Sequence, residues 1–185
     1  LAGLLAGGTD GERLVAAGLL GYLGDARAIG AFEDALFDGE PEGALLARAF
    51  VEALSFHPDE AAVPVLSRAL RESTDPLVRL RAAEALAERG RPEGLAELRR
   101  TCEEAADPLL REDAFLRLVQ LGPTGCLDLF ATRLRRDQDP AVRFAALEGV
   151  RNAGGPQARA LLARLSDDPT EDGLLAAEAR RALAE

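Results

Sequence analysis

Asp75-Pro76-Leu77-Val78-Arg79-Leu80-Arg81-Ala82-Ala83-Glu84-Ala85-Leu86 is the stretch that decides the fold, because its opening pattern returns twice further along the chain. Asp107-Pro108-Leu109-Leu110-Arg111 and Asp139-Pro140-Ala141-Val142-Arg143 repeat it, with starts 32 residues apart (107 − 75 = 32 and 139 − 107 = 32). A fixed period in this range is typical of stacked supersecondary units rather than of a globule built around one site. The sequence therefore predicts a repeat protein.

Each repeat has the signals of two helices joined by a short turn. Asp is a favoured N-cap and Pro a favoured first helical residue, and apolar residues follow at helical spacing. A turn containing Gly leads into a second apolar helix. We expect one all-α repeat domain over residues 1–185. Its units are predicted at residues 9–40, 41–73, 74–105, 106–137 and 138–167, with partial units at 1–8 and 170–185.

Composition narrows the functional classes. Hydrophobic residues make up 48% of the chain and aromatics 4%, without Trp, which predicts a core of Leu, Ala and Val. The net charge of −10 opposes contact with nucleic-acid phosphates and anionic membrane surfaces, and every basic residue is Arg. Since no apolar run reaches the roughly 18 residues of a membrane helix, we expect a cytoplasmic protein with no nucleic-acid or membrane partner. The chain starts at Leu1 and lacks Met, so we also expect a segment of a longer polypeptide.

The pattern Asp-Pro-x-Val-Arg-x-x-Ala-x-x-x-Leu, followed by Gly, often Pro, and a second apolar helix, resembles the HEAT repeat. The short period is most similar to the bacterial HEAT-like variety also found in phycobilin lyase subunits. The resemblance covers nearly the whole chain and is looser in units 9–40 and 41–73, where Asp-Pro is missing. It implies a right-handed α-solenoid of about five helix pairs plus a helix at each end. It also implies a scaffold or binding surface.

The residues of the repeated motif have structural roles on physical grounds. A carboxylate at the N-cap accepts backbone N–H bonds and complements the positive helix end, a contribution of roughly 0.5–2 kcal/mol for each helix. An arginine follows four residues later and can reach the Asp of its own unit or of a neighbouring unit. The resemblance implies that these pairs form a ladder between repeats. The caps and the ladder comprise Asp75, Asp107 and Asp139 with Arg79, Arg111 and Arg143.

No catalytic or metal-binding constellation is recognisable in the sequence. His57 is the only His and precedes Pro58, which indicates a turn residue; nothing places it near Ser67, Cys102 or Cys126. Two Cys and one His at unrelated spacings do not make a zinc site, which normally needs three or four convergent ligands. We expect no enzymatic activity, no metal and no cofactor, and the two cysteines are predicted to be small buried hydrophobes, although a disulfide is possible.

Equivalent positions of the second helices give the candidate binding residues. In HEAT-like stacks these helices line the concave surface, so the resemblance implies one continuous stripe on that surface. Such a stripe would bind a protein segment, with an acidic peptide or helix as the favoured partner. Alternatively, the arginines only solubilise the helices by pairing with Glu97, Glu103, Glu104 and Asp128. The predicted stripe consists of Asp34, Arg68, Arg100, Thr132 and Arg164, with Arg71 and Arg135 in a second column.

Three functions are therefore open at this point. The first is a protein-interaction module or scaffold that binds a partner on the second-helix surface. The second, suggested by the resemblance alone, is a lyase-like or chaperone-like accessory subunit that attaches or holds a chromophore. The third is a DNA-handling protein similar to the HEAT-like alkylpurine glycosylases. That class needs a basic concave face with aromatic residues, whereas this chain is acidic and lacks Trp.

Overall fold

A computed structural model describes residues 1–33, 36–37, 44–122 and 125–184, and every regular element in them is helical. The prediction of an all-α fold is confirmed. The expectation of a single domain over 1–185, with the unit boundaries given above, stays a prediction. The helices are α1 (Ala2–Gly7), α2 (Asp10–Leu23), α3 (Arg27–Glu33), α4 (Ala44–Phe56), α5 (Ala62–Glu72), α6 (Pro76–Glu88), α7 (Pro92–Glu104), α8 (Pro108–Leu121), α9 (Leu127–Arg136), α10 (Pro140–Ala153), α11 (Gly155–Asp167) and α12 (Gly173–Ala184).

The helices form two compact units, Leu1–Glu97 and Leu98–Glu185, which are described separately. In the first unit, α4 lies between α2 and α6, and α6 also packs against α5. In the second unit, α10 contacts α8, α9 and α11, and α12 packs against α11. A first helix thus contacts the second helix of the preceding repeat, in several cases that of its own repeat, and the first helix of a neighbouring repeat. This nearest-neighbour packing is typical of stacked helix pairs.

Aspartate caps start three of the first helices, each followed directly by a Pro in the first turn. The Asp75 carboxylate accepts a hydrogen bond from the Leu77 N–H at 2.8 Å, and Asp107 does the same for Leu109 at 3.0 Å. Asp139 accepts from the Ala141 N–H at 2.8 Å. The first helix of the earliest repeat starts differently, because the Thr9 N–H and hydroxyl both donate to the Glu12 carboxylate, at 2.8 Å each.

The core consists mainly of Leu, Ala and Val, as the composition predicts, but an aromatic pair lies near the centre of each unit. The rings of Phe32 and Phe50 have centroids 6.0 Å apart in the first unit, and those of Phe115 and Phe130 are 5.7 Å apart in the second. All four side chains are buried. Tilted rings at this separation add about 0.5–1.5 kcal/mol beyond their area burial.

Close approach of first helices requires a glycine in α2. A Cβ atom built on Gly21 would lie 2.4 Å from the carbonyl oxygen of Ala53 in α4, a distance that real Cβ atoms do not show. Gly21 therefore packs directly on the backbone of α4, and Ala16, Ala17 and Leu20 of the same helix are buried. Gly18, one turn away, has open space where its Cβ would be.

We predict that Gly21→Ala and Gly18→Ala change stability in opposite directions. Gly21→Ala forces α2 away from α4 and lowers the free energy of unfolding by about 1–3 kcal/mol, the usual cost of overpacking. Gly18→Ala removes the unfavourable helix propensity of glycine without causing a clash. It therefore raises the free energy of unfolding by roughly 0.5–1 kcal/mol. Urea unfolding followed by far-UV circular dichroism measures both. Equal shifts for the two variants would contradict this account of α2–α4 packing.

Candidate interaction surface

Two adjacent grooves lie between the second helices of the second unit. The α7–α9 groove encloses about 370 Å³ and the α9–α11 groove about 320 Å³, and Asp128 of α9 borders both. The α7–α9 groove is lined by Arg99, Glu103, Asp128, Leu129, Thr132 and Arg133. The α9–α11 groove is lined by Leu127, Asp128, Ala131, Gln157, Ala160, Leu161 and Arg164. Two residues of the predicted stripe, Thr132 and Arg164, therefore border grooves.

The polar groups of the α7–α9 groove are already engaged with protein backbone. Arg99 donates to the Gly125 carbonyl at 3.1 Å, and Arg133 donates to the carbonyl of Glu103. The Thr132 hydroxyl donates to the Asp128 carbonyl at 2.8 Å, within its own helix. The two arginine bonds join the α7 and α9 segments. The arginines of this groove therefore serve the packing of the second helices.

The α9–α11 groove is different because its lining arginine, Arg164, is open. Arg164 is exposed on α11, and within the described part of the chain it makes no hydrogen bond or ion pair. Arg135 is also exposed and, among the described residues, equally without a partner. It follows Asp128 by seven residues, two helical turns, and so lies on the same face of α9. Arg164 thus borders a groove of mixed polar and apolar lining, and Arg135 lies on the α9 face that carries Asp128.

In the first unit the predicted stripe residues have mixed surroundings. Arg68 donates to Glu72 at 2.9 Å and to Glu33 at 3.3 Å, and its guanidinium lies 4.1 Å from the centroid of the Phe37 ring. Arg71 is exposed. Asp34 lies outside the described residues. Arg68 is therefore held by three groups of its own unit, which is the arrangement of a structural rather than an open cation.

Arg100 begins the stripe in the second unit. Its guanidinium is 3.5 Å from the Glu104 carboxylate, one turn along α7, and half of its side chain is exposed. This contact fits the alternative interpretation, in which the arginines only solubilise the helices by pairing with acidic side chains. A pair this exposed contributes little to stability, because water screens it.

The arginine four residues after each cap reaches backwards to the preceding helix. Arg79 donates to the Ser73 carbonyl at 2.9 Å, Arg111 to the Ala105 carbonyl at 2.8 Å and Arg143 to the Leu134 carbonyl at 2.7 Å. Arg13, four residues after Thr9, donates to the Leu5 carbonyl at 2.9 Å. The last carbonyls of a helix lack intrahelical partners, and a guanidinium satisfies them and complements the negative helix end.

The carboxylate partners of these arginines differ from the expected ladder. Arg79 is 3.9 Å from Glu97, Arg111 pairs with Asp137, and Arg143 pairs with Glu171. Among the described residues, no ion pair joins Arg79, Arg111 or Arg143 to Asp75, Asp107 or Asp139. The guanidinium points back toward the preceding helix end, whereas the cap carboxylate faces the N–H groups of its own helix. Asp75 is instead reached by Arg48 of α4, at 2.9 Å.

Asp137 is the most buried of these carboxylates, with a side chain 2% exposed. It accepts two hydrogen bonds from Arg111, at 2.8 and 2.9 Å, and one from the Asp139 N–H at 3.1 Å. Burial alone would raise the pKa of the Asp137 carboxyl, but the Arg111 and Asp139 hydrogen bonds together bring it below its usual value. Sequence reasoning missed this residue. The signal was available, since an acidic residue two positions before Asp-Pro occurs at Asp137 and not before Asp75 or Asp107.

Comparison with known proteins agrees with the helix pairing. The profile of the HEAT repeats matches residues 1–87, 44–119 and 102–184, and so spans nearly all of the chain. The chain belongs to the HEAT-repeat family. The prediction of a solenoid-type repeat fold is confirmed with it. The handedness of the stack and the similarity to the phycobilin-lyase variety stay predictions.

One solved structure is similar to the chain at low sequence identity. A solved structure of human deoxyhypusine hydroxylase in complex with glycerol is 20% identical and covers 99% of this chain and 82% of that chain, with a TM-score of 0.41. A likeness at this level says nothing about activity. No curated protein matches the chain.

His57, predicted as a turn residue, lies between the two helices of its HEAT repeat and is fully buried. Its ring nitrogen Nδ1 accepts a hydrogen bond from the Asp59 N–H at 3.2 Å. Its carbonyl, together with those of Leu54 and Ser55, accepts from Arg89 of the next first helix, at 2.7 to 3.2 Å. Arg89 therefore closes the carbonyl end of α4, and the His57 turn is part of a contact between repeats.

The described residues offer little for other kinds of site. No group of three or more His, Cys, Asp or Glu side chains among them is placed to hold a metal ion. Cys102 and Cys126 are free and buried, and burial raises the pKa of both thiols. None of the described helices combines the length and the apolar character that crossing a bilayer requires.

We predict that Asp137→Asn destabilises the protein at neutral pH by about 2–3 kcal/mol, because it leaves Arg111 without its buried counter-ion. The folded pKa of Asp137 lies below the unfolded value of about 3.9, so the carboxylate stabilises the fold above that pH. The difference between wild type and variant shrinks as the pH falls through the folded pKa. Thermal unfolding of both proteins at a series of pH values measures this difference in stability.

Glu104→Gln is the matched control, since it neutralises the carboxylate of the exposed Arg100 pair in the same unit. It should leave the unfolding temperature unchanged at every pH. A loss of stability in Asp137→Asn that is constant between pH 7 and pH 2 would show that the ion pair is not its cause.

Proposed function

We propose that the chain is a non-catalytic interaction module whose α9–α11 groove binds an acidic segment of a partner protein. HEAT repeats in general mediate protein interactions, which supports the class of function. The observation that carries the proposal is the exposed Arg164 at the edge of the α9–α11 groove, with Arg135 exposed on the α9 face that carries Asp128. Neither arginine has a hydrogen-bond or ion-pair partner among the described residues. Elsewhere on the second helices, Arg68, Arg99 and Arg133 already bind groups of the protein itself.

The groove offers complementary chemistry to one face of an amphipathic segment. Ala131, Ala160 and Leu161 supply an apolar strip, and Arg164 supplies a planar fork of N–H donors at its edge. A guanidinium binds a carboxylate through two parallel hydrogen bonds, which sets the orientation of the bound segment as well as its affinity. A helix presenting apolar residues flanked by Glu or Asp fits this arrangement.

Because the whole chain is acidic, its affinity for an acidic partner depends on direct contacts in the groove. At a net charge of −10 the protein repels an acidic partner at long range, so association is slow and affinity depends on the contacts made in the groove. The two arginines provide a local positive region within an acidic surface. Added salt should therefore speed association by screening the repulsion and also weaken the final ion pairs.

The proposal treats the module as non-catalytic for chemical reasons. His57 is buried in a turn between α4 and α5, and the buried thiols with their raised pKa values are poor nucleophiles. Two free cysteines also suit a reducing compartment, which supports the proposed cytoplasmic location. The expectations of a lyase-like subunit and of a DNA-binding protein are untested, and no contact in the described structure favours either.

We predict that the double variant Arg135→Glu/Arg164→Glu binds the partner at least about tenfold more weakly than wild type, equivalent to about 1.4 kcal/mol. The partner would be identified by affinity capture with quantitative mass spectrometry, purified, and titrated by fluorescence anisotropy. Unchanged circular dichroism would show that the helices are intact.

Arg159→Glu is the control for the same experiment. Arg159 is exposed on α11 but lies on the side that faces α12, beside Ala182. Its reversal changes the net charge in the same sense without touching the α9–α11 groove. Equal weakening by Arg159→Glu, or unchanged binding of the double variant, would rule out this groove as the binding site.

A further inference from the structure

A cavity of about 600 Å³ lies between the α8–α9 turn and the α10–α11 turn of the second unit. Buried apolar groups form its floor, namely the side chains of Leu118, Cys126 and Phe130 and the backbone of Gly149. Exposed residues at the ends of α8 and α10 and at the start of α11 border its mouth. The volume lies within the range of roughly 300–1,000 Å³ that is usual for ligand pockets. A bulky apolar group can therefore enter this cavity from solvent.

A sequence difference between successive repeats explains why there is space at the start of α9. A Cβ atom built on Gly94 would lie 2.3 Å from the carbonyl oxygen of Ala83, so the start of α7 packs directly on the α6 backbone. The equivalent residue 32 positions later is Cys126 (94 + 32 = 126), whose side chain rules out the same approach to α8. Cys126 also precedes α9, whereas Gly94 lies within α7. The second helix of this repeat thus starts later, and the space beside its start belongs to the cavity.

The cavity adjoins the α9–α11 groove, because Leu127 and Gln157 line both. These two residues stand in the first turns of α9 and α11, so both helices run away from the cavity in the same direction. Arg164 follows Gln157 by seven residues, which is two turns or about 10 Å along α11. A single segment lying in the groove can therefore reach the cavity with one side chain and Arg164 with another.

The charge of the groove changes along its length. Near the cavity the charged lining residue is Asp128, in the first turn of α9. At the far end it is Arg164, in the last turn of α11, and Arg135 stands in the last turn of α9. Asp128 repels a carboxylate of a bound segment, whereas Arg164 attracts it. The acidic residue of the segment therefore belongs at the arginine end, and its apolar residue at the cavity end.

We propose that the partner segment is an amphipathic helix that inserts a Phe, Trp or Leu side chain into the cavity and places Glu or Asp about seven residues away, at Arg164. This inference rests on the proposed function of the groove and adds the chemistry of the segment. Seven helical residues span about 10 Å, which matches the distance along α11 from the cavity to Arg164. Burial of an apolar anchor contributes affinity that does not depend on charge, which matters for a chain of net charge −10.

A phage-displayed library of helical peptides with random residues on one face tests the proposal. Selection on the immobilised protein should enrich Phe, Trp or Leu together with Glu or Asp seven positions away. Asn152→Trp and Ala153→Phe add a large side chain at exposed positions of the cavity mouth, and selection on either variant should no longer enrich the apolar anchor. Ala141→Phe is the matched control, since Ala141 is exposed at the opposite end of α10, and it should select the same peptides as wild type.

The most enriched peptide is then titrated by fluorescence anisotropy, with far-UV circular dichroism confirming that every variant is folded. Asn152→Trp and Ala153→Phe should each weaken binding at least about tenfold, because the anchor loses its cavity. Replacing the anchor of the peptide by Ala should weaken binding to wild type by a similar factor and cause little further loss with either variant. The Ala peptide tests the same contact without altering the protein.

The outcomes separate this inference from the proposed function. Enrichment of acidic residues without an apolar anchor, or full affinity of Asn152→Trp and Ala153→Phe for the peptide, overturns the inference and leaves the acidic-segment groove standing. Enrichment of the anchor alone, with an affinity that Arg164→Glu does not change, contradicts both. A selection in which no peptide binds better than the starting library contradicts both as well.

Discussion

Helix ends leave carbonyl groups without intrahelical partners, and a stack of short helices creates such an end at every junction between repeats. Here an arginine four residues after the caps Thr9, Asp75, Asp107 and Asp139 binds the preceding carbonyls; these are Arg13, Arg79, Arg111 and Arg143. Arg89 does the same for the end of α4. Guanidinium groups thus satisfy these carbonyls at the junctions. The exclusive use of Arg agrees with this role, since a planar fork can bind two carbonyls or a carboxylate and a carbonyl together, which an ammonium group does less well.

Because helix-end carbonyls need donors, some arginines are bound within the protein, whereas others remain open to a partner. Arg99 and Arg133 bind the carbonyls of Gly125 and Glu103, so the α7–α9 groove is held together by its own cations. Arg164 borders the next groove and Arg135 lies on the same α9 face as Asp128, and neither has such a partner among the described residues. Position in a repeat column does not distinguish these cases, because Arg68, Arg100 and Arg164 share one column and have three different surroundings. The proposed interaction surface is therefore the one whose arginines the packing leaves unused.

Several features of the site could be predicted from the sequence and several could not. The aspartate caps follow from local chemistry, because a cap and the N–H groups it accepts are two or three residues apart. The partners of Arg79, Arg111 and Arg143 depend on the relative position of helices about 20 to 30 residues apart, and the expected pairing with the caps differs from the observed pairing with Glu97, Asp137 and Glu171. His57 looked like an ordinary turn residue, and only the packing of Arg89 on the α4 end shows why that turn is buried.

The sequence by itself determined the helix pairs, their period and their caps, because these depend on residues within one or two turns of each other and recur every 32 residues. It also determined membership of the HEAT-repeat family, since the motif is a property of each unit alone. The tertiary structure decided which arginines are engaged and that Gly21 meets the α4 backbone. Those properties depend on distances between side chains on different helices, which the order of residues along one helix does not specify.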